Sequence, residues 1–178
     1  AVDIKFDKVN KINKLNQEFE IQTNSGQAYK SKTVLIATGS TRRKLDIPGA
    51  KEFENKGISY CASCDGPIFA GQDVAVIGGG NAGFETAAQL LNYASSVTLL
   101  NRSDIFKADP ATVEKVLSHP KMKAIKNAIP KEIKGDKFVS TMIYHSEGAD
   151  HELKVTGIFV EIGLVPTTDF AEGLVKMN

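Results

Sequence analysis

Apolar residues collect along this chain in short runs separated by polar turns, and the clearest run is Asp73-Val74-Ala75-Val76-Ile77. Four consecutive apolar positions suit a parallel strand covered on both faces, which has no polar side to present. Gly78-Gly79-Gly80-Asn81-Ala82-Gly83 follows at once, and Phe84, Ala87, Ala88 and Leu91 then fall at the i, i+3, i+4, i+7 spacing of one helix face. That pattern stops at the turn-prone Asn92-Tyr93-Ala94-Ser95-Ser96, and Val97-Thr98-Leu99-Leu100 predicts the next strand. Together these make one strand–helix–strand unit of about 30 residues.

The stretches on either side follow a common plan. In the first, a strand from Glu18 to Thr23, a turn at Asn24-Ser25-Gly26 and a polar strand from Gln27 to Lys30 lead into Thr33-Val34-Leu35-Ile36-Ala37-Thr38-Gly39, which reads as a buried strand ending in glycine. In the second, Phe138 to His145, a turn at Glu147-Gly148 and Glu152 to Val155 lead into Gly157-Ile158-Phe159-Val160-Glu161-Ile162-Gly163. A helix from Ala108 through His119 and a third strand from Lys123 to Lys126 bridge the central unit to this second meander. Pro48 and Pro166 mark the joins, where proline and glycine favour turns. The expected architecture is α/β: a Rossmann-like domain over 45–166, with a parallel sheet plus a β-meander, flanked by fragments of a second domain of the same type. Residues 1–44 would be the back part of that second domain and 167–178 the start of the return into it. Only the second meander is preceded by its own strand–helix–strand unit, so the chain is expected to open inside a domain.

Composition narrows the class. At 178 residues, with 42% hydrophobic and 24% charged residues, the chain falls among globular proteins. Its 22 basic and 21 acidic residues leave a net charge of +1, so no global field recruits nucleic acid or anionic lipid. No apolar stretch is long enough to cross a bilayer, and Ala1-Val2-Asp3-Ile4-Lys5-Phe6 lacks the layout of a signal peptide. A cytoplasmic protein with neither nucleic acid nor membrane as partner is expected.

Two motifs carry chemistry. In the glycine loop, Gly78 lets the chain turn off the strand, Gly80 leaves room for a pyrophosphate and Gly83 lets the helix pack closely. The free amides and positive dipole end of the helix then face the phosphates. NAD is normally held by an acid at the tip of the second strand, but Asn101-Arg102-Ser103 stands there. A missing acid and a present arginine favour a 2′-phosphate, hence NADPH, with Lys107 as a second cation. The other motif is Cys61-Ala62-Ser63-Cys64-Asp65-Gly66, holding the chain's two cysteines. This spacing suits a reversible redox pair, with Asp65 placed to move a proton. Half of a zinc site is the alternative, but His119, His145 and His151 match no zinc-finger spacing from the cysteines and read as surface residues. A nicotinamide reduces a disulfide poorly without an intermediary, which is usually a flavin.

Taken with Ile36-Ala37-Thr38-Gly39, these two motifs resemble, in order and spacing, the low-molecular-weight bacterial thioredoxin reductases and the related flavoprotein subunit of alkyl hydroperoxide reductase. The resemblance covers nearly the whole chain and implies an NAD(P)H-dependent, FAD-containing disulfide reductase acting on thioredoxin or a thioredoxin-like protein, homodimeric when complete. It implies that Cys64 faces the flavin, that Cys61 attacks the partner's disulfide and that Asp65 is the acid–base. It also assigns cofactor contacts to Gly78, Gly79, Gly80, Asn81, Ala82 and Gly83, to Glu85 on the nicotinamide side, to Asn101, Arg102 and Lys107, to Ile162 and Gly163, and to Thr38 and Gly39 against FAD. The proline-marked joins would be a hinge. The family's first FAD-binding loop would precede Ala1 and its second FAD segment would follow Asn178, so the chain is expected to be cut at both ends and inactive alone. Pro67, Gly83 and Gly163-Leu164-Val165-Pro166 lean toward the peroxide-reducing branch, but that branch's acid at the tip of the second strand and its additional N-terminal thioredoxin-like module are absent, which places the sequence between the two branches. A reading from another class is a nucleotide-binding module whose cysteine pair is structural.

Overall fold

The computed structural model describes residues 2–174. The chain forms two compact units: one of the residues up to Thr41 with those from Leu164 on, the other running from Arg42 to Gly163.

In the first unit, β1 (Val9–Leu15), β2 (Glu18–Thr23) and β3 (Ala28–Ser31) form an antiparallel sheet in that order. The turn before β3 closes through the Gly26 amide donating to Thr23 O, with Gly26 at φ 82°, a conformation glycine adopts without penalty. The expected buried strand at 33–39 does not form. No strand is assigned there and Leu35 is 91% exposed. An apolar run becomes a strand only when neighbours satisfy its backbone groups, and no described residue pairs with it in a ladder. β4 (Ser40–Arg42) follows.

The second unit opens with β5 (Ile58–Ser59), α1 (Ala62–Asp65) and a 3-10 turn at Gly66–Phe69. Next come β6 (Asp73–Ile77), α2 (Asn81–Leu90), β7 (Ser96–Leu100), α3 (Pro110–Leu117) and β8 (Met122–Ile125). β9 (Ile129–Gly135), β10 (Val139–Ser146) and β11 (Ala149–Lys154) make an antiparallel meander, and β12 (Gly157–Val160) completes the unit. β13 (Leu164–Pro166) then pairs with β4. Every pairing in the central sheet is parallel, and its order is β8-β7-β6-β12-β5.

The alternation along β6 explains the layers. Val74 and Val76 pack with Phe84, Ala87 and Leu90 of α2 and Val116 of α3, whereas Ala75 and Ile77 pack with Ile133 and Met142 of the meander. Both faces of the strand are thus dry, as its continuous apolar run requires. α3 starts where Asp109 caps it by accepting from the Thr112 amide at 3.1 Å, with Pro110 at the first helical position. The predicted helix, third strand and second meander all form with slightly shifted ends; β9, the first strand of that meander, was not anticipated.

Candidate functional site

In this sheet the strand order reverses between β6 and β12, so the crevice outside their carboxyl ends is the place where such folds take ligands. The glycine loop stands there. Gly78 ends β6 at φ 128°, and a Cβ on it would lie 2.1 Å from Glu161 O. A Cβ on Gly83 would lie 1.9 Å from Gly78 O, which is how closely α2 approaches the turn. Gly79 is equally constrained, by Asn101 Oδ1 at 2.3 Å from its virtual Cβ. Gly80 differs: nothing lies within 4 Å of its virtual Cβ, and as N-cap of α2 it offers no side-chain hydrogen bond to the helix amides. Open space over uncapped helix amides fits a pyrophosphate.

The 101–109 segment braces this loop. The Lys107 amide donates to Gly79 O at 2.8 Å and the Asp109 amide to Asn81 Oδ1 at 2.7 Å. Ala82 is exposed beside Asn81 on the first turn of α2. Asn101 is buried, and its Nδ2 donates to Ser103 O and Ile105 O at 2.8 and 2.9 Å. That side chain is therefore turned into its own loop, and the charged groups exposed in the segment after β7, over 102–107, are Arg102, Asp104 and Lys107. Phe106 holds the segment to α2 by an edge-on contact with Phe84, ring centroids 5.0 Å apart, and carries Lys126 Nζ over its face. Glu85 is exposed on α2; Ile162 is half-buried past β12, and Gly163 O accepts from the Arg43 amide.

The cysteine pair sits elsewhere on the same unit. Cys61 and Cys64 are joined as a disulfide, Cα atoms 5.4 Å apart. Cys61 is the N-cap of α1, its Sγ accepting from the Cys64 amide at 3.2 Å. Cys61 is half-buried and Cys64 exposed. Asp65 Oδ2 accepts from Ser59 Oγ at 2.6 Å, and Ser59 Oγ accepts from the Cys61 amide at 3.1 Å. The buried Ser59 thus connects the carboxylate to the cysteine backbone. Ser63 Oγ donates to Gln89 Oε1 of α2 at 2.8 Å. Burial raises the Tyr60 phenol above its usual 10.0, assisted by the Glu54 carboxylate and opposed by Lys44. A cleft of about 540 Å³ opens beside Asp65, lined also by Ser59, Ile68, Phe69, Phe138 and Val139.

Sequence reasoning missed Ser59, Gln89 and Glu161. The histidines do other work: His145 Nδ1 pairs with Asp150 at 2.6 Å, and His151 stacks on Tyr144. In the first unit Thr38 Oγ1 donates to Thr167 O at 2.5 Å and Gly39 O accepts from the Thr167 amide, which leaves both residues exposed. The glycine loop at 78–83 runs straight from β6 into α2, the strand–loop–helix order that a dinucleotide site requires. Among the described residues no helix is long and apolar enough to cross a membrane.

Known proteins resemble this chain in sequence and fold. The chain is 44% identical over 162 residues to an NADH dehydrogenase of Bacillus subtilis, spanning 90% of this chain and 32% of that protein. It is 39% identical to the F component of the alkyl hydroperoxide reductase of Pseudomonas putida, over 89% of this chain and 31% of that one. Among solved structures, Lactococcus lactis thioredoxin reductase superposes with a TM-score of 0.81 at 35% identity, covering 94% of this chain and 56% of the other. The thioredoxin reductase of Giardia duodenalis does so with a TM-score of 0.84 at 31% identity, over 98% and 58%. The chain therefore spans about a third of the curated relatives it matches. A family model described as pyridine nucleotide-disulphide oxidoreductase matches residues 2–178. A parallel sheet with a glycine loop at its switch point, a cysteine pair closed as a disulfide and this match from end to end lead to one assignment: the chain belongs to the pyridine nucleotide-disulphide oxidoreductase family.

Proposed function

We propose that the complete protein is an NAD(P)H-dependent, FAD-containing disulfide reductase that delivers electrons through Cys61 and Cys64 to a thioredoxin-like protein. The observation that carries this reading is the disulfide between Cys61 and Cys64 on the same unit as an open glycine loop. FAD, when bound, supplies the two-electron relay between a nicotinamide and a thiol pair. Thr38 and Gly39, exposed in the strand-free run at 33–39, are the described residues that would touch it.

The roles of the chain's own groups follow. Gly78 to Gly83 hold the pyrophosphate against the α2 amides, while Arg102 and Lys107 take a 2′-phosphate. Glu85, Ile162 and Gly163 border the nicotinamide. Once the pair is reduced, the Cys61 thiolate attacks one sulfur of the partner's disulfide, forming a mixed disulfide and releasing a thiolate, which takes up a proton. Cys64 then attacks the Cys61 sulfur, remaking the intramolecular bond and releasing the partner as a dithiol. Asp65, hydrogen-bonded by Ser59, holds and moves the proton these steps require.

A second reading concerns the partner alone. Identity of 38–40% to F components of alkyl hydroperoxide reductases favours a thioredoxin-like module of a peroxide-reducing system. Cys61→Ser in the complete protein tests the common core: NAD(P)H oxidation with an artificial electron acceptor persists while disulfide reduction stops. Disulfide reduction at the unaltered rate would show the pair to be structural.

A further inference from the structure

The floor of the crevice between β6 and β12 carries a charged group that the motifs do not explain. Glu161 follows β12, and its amide extends the ladder by donating to Ile77 O at 2.8 Å. Its side chain is only 10% exposed. A carboxylate that dry needs partners, and it has two. Thr86 Oγ1, buried on α2, donates to Glu161 Oε1 at 3.0 Å, and Arg42 Nη1 donates to Oε2 at 3.0 Å. Arg42 is the last residue of β4, the strand that leads the chain into this unit. Glu161 O is also the atom that would collide with any side chain on Gly78. One residue therefore touches the turn of the glycine loop, the second turn of α2 and the entry strand.

Its place indicates which half of a bound nucleotide it serves. In this fold the adenosine ribose lies at the tip of β7, so the other half of the dinucleotide crosses the α2 N-terminus toward β12. Resting on the nucleotide reading of the glycine loop, we propose that Glu161 is a positioning residue for the nicotinamide half, held in place by Arg42 and Thr86. By fixing α2 to the end of β12 it sets the width of the crevice into which the nicotinamide riboside enters. It leaves the phosphate and adenosine contacts to other residues.

Binding of two probes to the complete protein separates these halves: NAD(P)H, and the matching ADP-ribose (carrying the 2′-phosphate where NADPH is the nucleotide), which lacks only the nicotinamide. Glu161→Ala should raise the dissociation constant for NAD(P)H about ten-fold while that for ADP-ribose stays within about two-fold, the size expected for losing the charged hydrogen bonds to Thr86 and Arg42 that hold one side of the crevice. Glu161→Gln keeps an acceptor for Thr86 and should restore part of the loss. If Glu161→Ala fails to fold, Arg42→Ala serves instead, with a smaller loss of about three-fold confined to NAD(P)H. Unchanged NAD(P)H affinity in these variants, or equal weakening of both probes, would overturn the proposal. Failure of the unaltered protein to bind either probe would overturn the nucleotide reading itself, and this inference with it.

Discussion

The glycine loop and the cysteine segment belong to one unit but are built on different principles. At 78–83 the structure is made by shape: three glycines stand where a single added carbon would lie within 2.3 Å of another atom, two of those atoms being backbone carbonyl oxygens. At 59–65 it is made by directed bonds, with Ser59 joining Asp65 to the Cys61 backbone and Ser63 reaching Gln89. A site built by shape fails by losing its fold, since packed backbone has nowhere to move. A site built by hydrogen bonds can keep its fold and lose its chemistry. The two regions should accordingly answer mutation in different observables.

The largest effect is expected at Gly78. Gly78→Ala combines a positive φ with a clash against Glu161 O, and should cost about 3 kcal/mol or more of stability, read as a fall in Tm. Gly80→Ala, two residues on, meets open space and should shift stability by less than about 0.5 kcal/mol while weakening nucleotide binding. Equal Tm losses at the two positions would break the distinction. Next comes Asp65→Asn, for which circular dichroism and Tm should stay near those of the unaltered protein while disulfide reduction falls about 100-fold. A variant that unfolds instead would make the cysteine segment another shape-built site. The smallest effect lies at the rim of the nucleotide site. Replacing both Arg102 and Lys107 by alanine should cut the preference for NADPH over NADH about ten-fold through loss of the phosphate contacts alone, with no change in Tm. An unaltered preference would place the 2′-phosphate contacts elsewhere.

How much of this could be read beforehand follows from the same contrast. The β6–α2–β7 unit was legible because its signals are local: apolar runs of period one or 3.6 bounded by glycines, whose packing on two faces the alternation of Val74, Ala75, Val76 and Ile77 already encodes. The strip at 33–39 misled because an apolar run says nothing about whether a neighbouring strand is there to pair with it. Asn101 stood at the right place along the chain, yet side-chain direction is set by the loop it closes, which no periodicity records. Ser59 and Glu161 were invisible for a further reason. Glu161 takes its bonds from Thr86 and Arg42, 75 and 119 residues away, so only the folded chain brings them together.

The central claim is that a nicotinamide reduces the Cys61–Cys64 bond, and counting thiols tests it most directly. The complete protein is incubated anaerobically with NAD(P)H, quenched with an alkylating agent and weighed by mass spectrometry. Two alkyl groups on the peptide containing Cys61 and Cys64, and none when the nucleotide is left out, is the predicted result. A pair that stays closed with reduced nucleotide in excess would contradict it.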